Sequence, residues 1–262
     1  MKLALTKPTK ILLSIAVTIL LSCNSSQTKE FTISGKVTDF SGNPIDSVSI
    51  QLKDKTFKDI YTTLTDKNGN YVLKVKAGNY YSLYAIKKSD YRISKLEYWM
   101  WNVPVYKNLK INPQYDRIEI YGINVFEPQV TPQNSYMIYF RPMSLSKTLN
   151  IIKKQNINLD KFVKVKQAEI LVKSKNLIDV SPLTISEKDL EIKVNNKNAQ
   201  ILKIQKIKEF SRDVFMYGYI VQIEKPEQEN NKNLDYDKIS IVLESPETGE
   251  KGKGETFVKL VK

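Results

Sequence analysis

The sequence predicts an all-β protein composed of two β-sandwich domains in tandem. Apolar residues alternate with polar ones in short runs, which is the pattern of half-buried strands. Clusters of Gly, Asn, Asp and Pro interrupt these runs about every ten residues, as in antiparallel sandwiches. The chain has 262 residues, which is long enough for two such domains, each with its own core.

The N-terminal segment has the pattern of an export signal. Three lysines at positions 2, 7 and 10 precede an apolar run over residues 11–21, which is too short to span a bilayer. The run ends in Leu21-Ser22-Cys23, and a polar stretch follows. Together these features resemble the bacterial lipoprotein signal, in which the cysteine is lipidated and becomes the first residue after cleavage.

This resemblance implies a compartment and a membrane partner. Residues 1–22 would be removed, Cys23 would carry the acyl chains, and residues 23–29 would form a lipidated tether. The predicted location is the outer membrane or another periplasm-facing membrane of a Gram-negative bacterium, with the cell surface as an alternative. A secretory signal with a chance cysteine and an uncleaved anchor helix are the other interpretations of the same pattern.

The excess of positive charge is better explained by solvated strand faces than by a nucleic-acid partner. The net charge is +13, and the three lysines of the signal account for part of it, which leaves +10. The segment 147–208 holds 14 basic and 6 acidic residues. Lysine alternates there with apolar residues, as in Ile192-Lys193-Val194, which is typical of a strand with one solvated face. No nucleic-acid partner is predicted.

Residue counts exclude many classes of active site. The chain has no histidine and one cysteine, so triads that use imidazole, zinc–thiolate clusters and intrachain disulfides are excluded. The remaining carboxylate clusters, Asp235 with Asp237 and Glu187 with Asp189 and Glu191, lie in polar segments that we expect to be solvated. The sequence therefore predicts a protein that is not an enzyme and uses no cofactor.

Residues 30–130 form the first predicted domain. Alternating runs occur over 31–37, 48–52 and 71–75, and the run 118–125 is predicted to be the closing strand. Both ISGKVTDFSGNPIDSVSIQLKD and TTLTDKNGNYVLKVKAGNYYSLYA resemble the carboxypeptidase regulatory-like domain over about residues 31–90. The resemblance implies a non-catalytic, transthyretin-like sandwich. Such domains occur beside peptidases, in outer-membrane transporters and in surface proteins, and some relatives bind carbohydrate.

One loop of this domain has a second interpretation. Asp66, Asn68 and Asn70 alternate as the oxygen ligands of a calcium loop do, but residue 77, at the twelfth position, is Ala and not a bidentate Glu. The stronger interpretation is a tight hairpin in which Asp and Asn side chains bind their own backbone. These residues are only a weak candidate for calcium binding, and no metal is predicted.

An aromatic run follows at residues 98–101. Trp99 and Trp101 would share one face of a strand, with Tyr98 and Met100 on the other. The tryptophan pair can fill the sandwich core or seal the junction with the next domain. Alternatively, Trp99, Trp101 and Tyr98 form a platform on which a sugar ring stacks, or the pair contacts the membrane interface.

Residues 131–262 form the second predicted domain after a proline-containing boundary. We expect a second sandwich, immunoglobulin-like in type, although no family resemblance is found here and no cysteine pair marks it. Residues 146–156 are predicted to be a short helix or a long connection, and 245–255 a hairpin loop that lacks P-loop spacing. The predicted strands cover 136–141, 168–172, 190–194, 201–207, 215–223, 239–243 and 257–261.

The predicted function is that of a lipid-anchored module at the cell envelope. The leading form binds another protein or has a structural role, and its partner is an unknown envelope protein. The main alternative is a carbohydrate-binding surface lipoprotein whose partner is a glycan and whose platform is Trp99 with Trp101. An enzyme is the third alternative, which the composition disfavours.

Overall fold

The computed structural model describes residues 29–130, 134–154, 179–211, 214–227 and 235–260. Strands dominate these ranges, which confirms the all-β prediction. A short helix, α1 (Leu145–Lys154), and a 3₁₀ turn (Glu187–Asp189) accompany them. The strands are β1 (Glu30–Lys36), β2 (Val48–Lys53), β3 (Asp59–Leu64), β4 (Asn70–Lys76), β5 (Gly78–Lys87), β6 (Tyr98–Val105), β7 (Leu109–Lys110), β8 (Ile118–Phe126), β9 (Ser135–Ser144), β10 (Leu190–Val194), β11 (Lys197–Asn198), β12 (Ile201–Ser211), β13 (Val214–Glu224), β14 (Tyr236–Glu244) and β15 (Lys251–Lys259). Cys23, the rest of the tether up to residue 28 and the predicted strand at 168–172 lie outside the described residues.

The described strands form three sheets, and one of them runs through both halves of the chain. Its order is β11-β10-β14-β15-β6-β5-β2-β3. The two halves meet where β15 pairs in parallel with β6, with Gly254 opposite Trp99 and Thr256 opposite Trp101. The other two sheets have the orders β4-β1-β7 and β12-β13-β9-β8. The eight-stranded sheet is therefore the common layer on which both sandwiches are built.

Each half of this common sheet covers its own core. The first core lies under β2, β5 and β6, where β1 and β4 close it, and it is filled by side chains such as Ile33, Ile50 and Leu73. Strand β4 alternates strictly between exposed and buried residues, as the sequence predicts. The second core lies between β10 and β14 on one side and β9 and β13 on the other, with Ile138 and Ile241 inside it.

Strand β8 belongs to the second of these cores and does not close the first sandwich as predicted. It pairs antiparallel with β9, from Ile118 opposite Ser144 to Phe126 opposite Met137. The alternation of Ile118 and Ile120 indicates a buried face but carries no information about which core that face meets. Pairing with the next strand along the chain places it in the four-stranded sheet.

Glycines allow β8 to cross close above β15. A Cβ atom at Gly252 would lie 2.1 Å from the carbonyl oxygen of Ile118, and one at Gly254 would lie 2.7 Å from the Cβ of Ile120. The backbones can approach to this distance only because neither position has a side chain. This crossing joins the second sandwich to the middle of the common sheet.

A buried carboxylate connects the turn before β15 to the start of α1. Glu250 accepts hydrogen bonds from the backbone N–H and hydroxyl of Ser146 at 3.0 and 2.7 Å, and from Arg117 Nε at 2.9 Å. The hydroxyls of Ser144 and Thr248 also donate to it. The predicted hairpin at 245–255 is present, and its turn is held by this network. Of the two alternatives predicted for 146–156, a short helix is found in the described part, as α1.

Candidate functional site

The two tryptophans of the chain lie at the junction of the sandwiches. Trp99 and Trp101 stack with ring centroids 5.1 Å apart and an interplanar angle of 14°. Both belong to the second core, and they are 6% and 5% exposed. The pair makes edge-to-face contacts with four other aromatic rings, those of Phe57, Tyr81, Tyr84 and Tyr121.

This burial removes the sugar-platform interpretation of the pair. A sugar ring needs an accessible aromatic face, whereas the faces of Trp99 and Trp101 are covered by each other and by neighbouring rings. Tyr98 points to the other side of β6, into the first core, where its hydroxyl donates to the buried carboxylate of Glu255. The three residues therefore lie in the core and at the junction.

Charged groups are buried beside the tryptophan stack. The indole N–H of Trp99 donates to Glu119 Oε1 at 2.8 Å. Glu119 is 2% exposed, and Glu97 and Arg92 are each 6% exposed. Burial raises the pKa of Glu97 to about 7, against the lowering effect of Arg92. Burial and the charge of Glu97 raise the pKa of Glu119 well above its usual value.

Protonation of these buried carboxyls should affect the stability of the junction, and their burial does not suit catalysis by an exposed acid. Because the folded environment favours the neutral forms of Glu97 and Glu119, each keeps its proton to a higher pH than an exposed glutamate does. Within the described residues, no group of three or more carboxylate or thiol side chains is placed to hold a metal ion. The sequence offers no signal for this cluster, since a charged residue between apolar neighbours, as in Ile118-Glu119-Ile120, normally predicts a solvated face.

The alternation of side chains between the two sides of the sheet is interrupted in β5 and β6, next to the tryptophans. Trp101 faces the second core, yet Val103, two residues later, faces the first. The residue between them, Asn102, has a φ of 54°, in the left-handed region. Its neighbour across the strand pair is Tyr81, between the pairs Tyr80–Val103 and Ser82–Trp101. The local reversal turns both Tyr81 and Asn102 into a cleft on the surface.

We call this feature the junction cleft, because both halves of the chain line it. Its volume is about 730 Å³, within the range of small-molecule sites. The first half contributes residues around β3, β5 and β6, and the second contributes the end of β15 and the start of β14. The lining residues are Asp54, Lys55, Ile60, Asn79, Tyr80, Tyr81, Asn102, Val125, Tyr236, Thr256, Phe257, Val258 and Lys259.

Two buried polar atoms lie beside the cleft without a hydrogen-bond partner among the described residues. They are the hydroxyl oxygen of Ser82 and the indole nitrogen of Trp101. The two residues are directly opposite each other on β5 and β6, so they share a face. The ring of Trp101 lies 5.5 Å from that of Tyr81. Buried polar groups in proteins are hydrogen-bonded as a rule, to protein atoms or to ordered water.

A second depression lies on the first sandwich and is lined by lysines. We call it the lysine groove; it has a volume of about 770 Å³. Lys36, Lys110 and Lys253 line it together with Asn112 and Gln114. Lys253 is also paired with the buried Glu255 at 3.5 Å, which reduces the free positive charge of the groove.

The weak calcium loop is a self-bonded hairpin turn. Asp66 Oδ1 accepts hydrogen bonds from the backbone N–H groups of Asn68 and Asn70, at 2.9 and 2.8 Å. Gly69 takes a φ of 77°, which glycine adopts without strain. These bonds, first among them that from Asn70, lower the pKa of Asp66. The carboxylate therefore binds its own loop, as in an Asx turn.

The other predicted carboxylate clusters are also engaged in structural bonds. Asp237 accepts from the hydroxyl of Tyr136 at 2.7 Å and from Asn195 Nδ2 at 2.6 Å. The carboxylate of Asp189 accepts from the backbone N–H of Ser186 at 2.8 Å. In the same region, Glu191 forms an ion pair with Lys193, while Glu187 begins the 3₁₀ turn, and Asp235 precedes β14. The structure does not bring these carboxylates together in one site.

Comparison with protein families supports the interpretation of the first sandwich. Residues 32–87 match the carboxypeptidase regulatory-like domain. This confirms the resemblance predicted for about residues 31–90, and it covers β1 to β5 of the structure. The matched segment contributes Tyr80 and Tyr81 to the junction cleft, whereas Tyr236 and Phe257 come from outside it.

Solved structures give only distant similarities. The major pilin subunit BcpA of Bacillus cereus is 9% identical with a TM-score of 0.25, and the match covers 88% of this chain and 69% of that one. A DUF3823 family protein from Parabacteroides merdae is 11% identical with a TM-score of 0.24, over 88% and 98% of the two chains. Similarities this distant say nothing about the role of this chain. No curated protein matches the sequence.

Sequence reasoning missed the junction cleft. The only local signal is the doublet Tyr80-Tyr81, because strict alternation would bury one ring and expose the other. The partners of Tyr81 in the cleft, such as Tyr236 and Phe257, are more than 150 residues away along the chain.

Among the described residues, no helix has the length and apolar character needed to cross a membrane.

Proposed function

We propose that this chain is a lipid-anchored, non-catalytic protein of the bacterial cell envelope that acts as a protein-interaction or structural module. The observation that carries the proposal is the position of Cys23, directly after the apolar signal and seven residues before Glu30, where β1 begins. Seven residues span at most about 25 Å. Acylation of Cys23 would hold the first sandwich close to the membrane surface, on the periplasm-facing side of a Gram-negative envelope or at the cell surface.

The non-catalytic part of the proposal is supported by the state of the carboxylates. Asp237 and Asp189 accept hydrogen bonds from neighbouring groups, and Glu191 is paired with Lys193. The match of residues 32–87 to a regulatory-like domain agrees with a binding or structural role. A carbohydrate-binding protein is the second candidate, and the junction cleft is the specific observation in its favour.

Metabolic labelling with an alkyne analogue of palmitate tests the anchor. The full chain should incorporate the label and sediment with membranes, and Cys23→Ser should lose both properties because the thiol that accepts the lipid is absent. Ser25→Ala is the matched control, since it changes the tether and keeps the cysteine, and it should behave as the parent chain. An unlabelled parent chain, or label retained in Cys23→Ser, would contradict lipidation at this residue.

A further inference from the structure

Exposed apolar side chains gather at the junction cleft. Phe57, Ile60 and Tyr81 are 41%, 42% and 38% exposed. The Phe57 and Tyr81 rings meet at 5.3 Å and 86°, and Tyr81 meets Trp101 at 5.5 Å and 87°. Tyr81 is thereby held on two sides by other rings while a large part of it stays accessible. Exposed apolar groups that lie next to one another are a feature of ligand-binding grooves.

Amide groups lie beside these rings. The side-chain oxygen of Asn79 accepts from the hydroxyl of Tyr236 at 3.4 Å, and Asn102 Nδ2 donates to the hydroxyl of Thr256 at 3.3 Å. Both distances are at the long end of the hydrogen-bond range, so a ligand hydroxyl can replace either partner at low cost. Each amide can donate and accept, which suits the hydroxyl groups of a polyol.

The charges around the cleft are few and nearly balanced. Asp54, Lys55 and Lys259 are the ionic groups of its lining. One oxygen of Asp54 already accepts from the backbone of its own turn, at Thr56 and Lys58. The lining therefore has no concentrated charge that would attract an ion, in contrast to the lysine groove.

The backbone is held in uncommon conformations at two positions next to the cleft. Phe57 has a φ of 61° and Asn102 a φ of 54°. Asn tolerates the left-handed region, but a bulky residue such as Phe rarely adopts it. These conformations direct one aromatic ring toward Tyr81 and one amide into the cleft. Such strain is concentrated at binding and active sites more often than elsewhere.

We propose that the junction cleft binds a neutral saccharide. A pyranose has a face of C–H groups that can lie on the ring of Tyr81, and hydroxyls at its edge that can bond to Asn79 and Asn102. The volume of about 730 Å³ has room for a short oligosaccharide segment. The site differs from the buried Trp99–Trp101 stack, which supports Tyr81 from behind and is not itself a platform. The proposal does not depend on lipidation of Cys23.

Affinity electrophoresis of the full chain tests this assignment. The protein is purified in a detergent without a sugar headgroup and run in gels that contain a neutral α-glucan, β-glucan, mannan, xylan or galactan. Alginate is included in the same panel as an acidic polysaccharide. Titration of a retarding polysaccharide, followed by tryptophan fluorescence, gives the dissociation constant, because Tyr81 contacts Trp101 and both tryptophans of the chain lie beneath the cleft.

Two cleft variants and two controls give the test its specificity. Tyr81→Ala removes the accessible ring and should weaken binding about tenfold or more, which corresponds to the loss of one aromatic contact. Asn102→Gly removes the amide while glycine suits the φ of 54°, so this variant keeps the backbone, and it should weaken binding about fivefold. Tyr106→Ala, a half-exposed tyrosine outside the lining, and Lys110→Ala in the lysine groove should bind as the parent does.

The assignment is supported when a neutral polysaccharide retards the parent chain and both cleft variants weaken the interaction. It is overturned when no neutral member of the panel binds, or when Asn102→Gly and Tyr81→Ala both bind as tightly as the parent. Retardation by alginate alone, lost in Lys110→Ala, would place binding in the lysine groove and would also overturn it. None of these results depends on the outcome of the palmitate labelling.

Discussion

Titration of the buried carboxyl of Glu97 should change the stability of the fold. Glu97 is 6% exposed, and burial raises its pKa from 4.5 to about 7, with Arg92 opposing the change. Because the folded pKa lies above the unfolded one, the folded chain binds more protons between these two values, and its stability falls as pH rises through that window. A difference of roughly 2.5 between the two pKa values corresponds to about 3 kcal/mol in the free energy of unfolding.

We expect Glu97→Gln to remove the part of the pH dependence that Glu97 contributes and to leave the part that comes from Glu119, whose pKa is also raised. The amide has the shape of the protonated carboxyl and does not ionise, so the variant should exceed the parent chain in stability above about pH 7 by up to roughly 3 kcal/mol. Near pH 4.5 the two should be similar, since the carboxyl is then protonated in the folded chain. Urea denaturation at several pH values, followed by tryptophan fluorescence, measures the difference at the junction itself.

Glu250→Gln is the matched control because its expected dependence has the opposite sign. Burial alone would raise the pKa of Glu250, but the hydrogen bonds from Ser144 and Ser146 outweigh it and lower the pKa. Its contribution to stability is therefore present above the unfolded pKa of 4.5 and is lost as pH falls through the folded value. Parallel pH profiles for the parent and Glu97→Gln would refute the assignment of a raised pKa to Glu97.

Further perturbations test the packing of the junction and the hairpin. Trp99→Phe leaves the buried carboxyl of Glu119 without its indole donor and should destabilise the fold by about 1–3 kcal/mol in urea denaturation; an unchanged midpoint would contradict the buried bond. Gly252→Ala places a Cβ against the β8 backbone and should cost about 1–3 kcal/mol, whereas Gly78→Ala, where contacts are at least 3.7 Å, should cost much less; equal thermal shifts would argue against the close crossing. Added calcium should leave the unfolding temperature unchanged, and a calcium-dependent rise that disappears in Asp66→Ala would restore the metal interpretation.

The first sandwich could be predicted in detail because its signals are local. In β4, Tyr71, Leu73 and Val75 alternate with exposed residues as their spacing indicates. The hairpin before this strand follows from the turn chemistry of Asp66 and Gly69. Each of these features depends on residues within a few positions of each other, so one sequence is sufficient to recognise them.

The junction could not be predicted, since its contacts are distant along the chain and break local rules. Pairing of Trp99 with Gly254 joins residues 155 positions apart and leaves no periodic signal. Glu119 is buried between Ile118 and Ile120, which are themselves buried, so both faces of β8 are covered there. Alternation predicts one buried face and fails where a strand contacts another layer on each side.

The junction cleft forms only where residues from both halves of the chain meet, so ligand binding there would be coupled to folding. A ligand in the junction cleft would touch Tyr81 of β5 and Phe257 of β15, and residues from both strands meet there only when β6 and β15 are paired. Binding energy would therefore stabilise that pairing, by about 2.7 kcal/mol at a ligand concentration one hundred times the dissociation constant. Since β6 supplies Met100 to the first core and Trp101 to the second, the added stability would be shared by both sandwiches. A bound saccharide should accordingly raise the unfolding temperature of the whole chain in one transition, and a shift confined to one of two transitions would show that the sandwiches unfold independently.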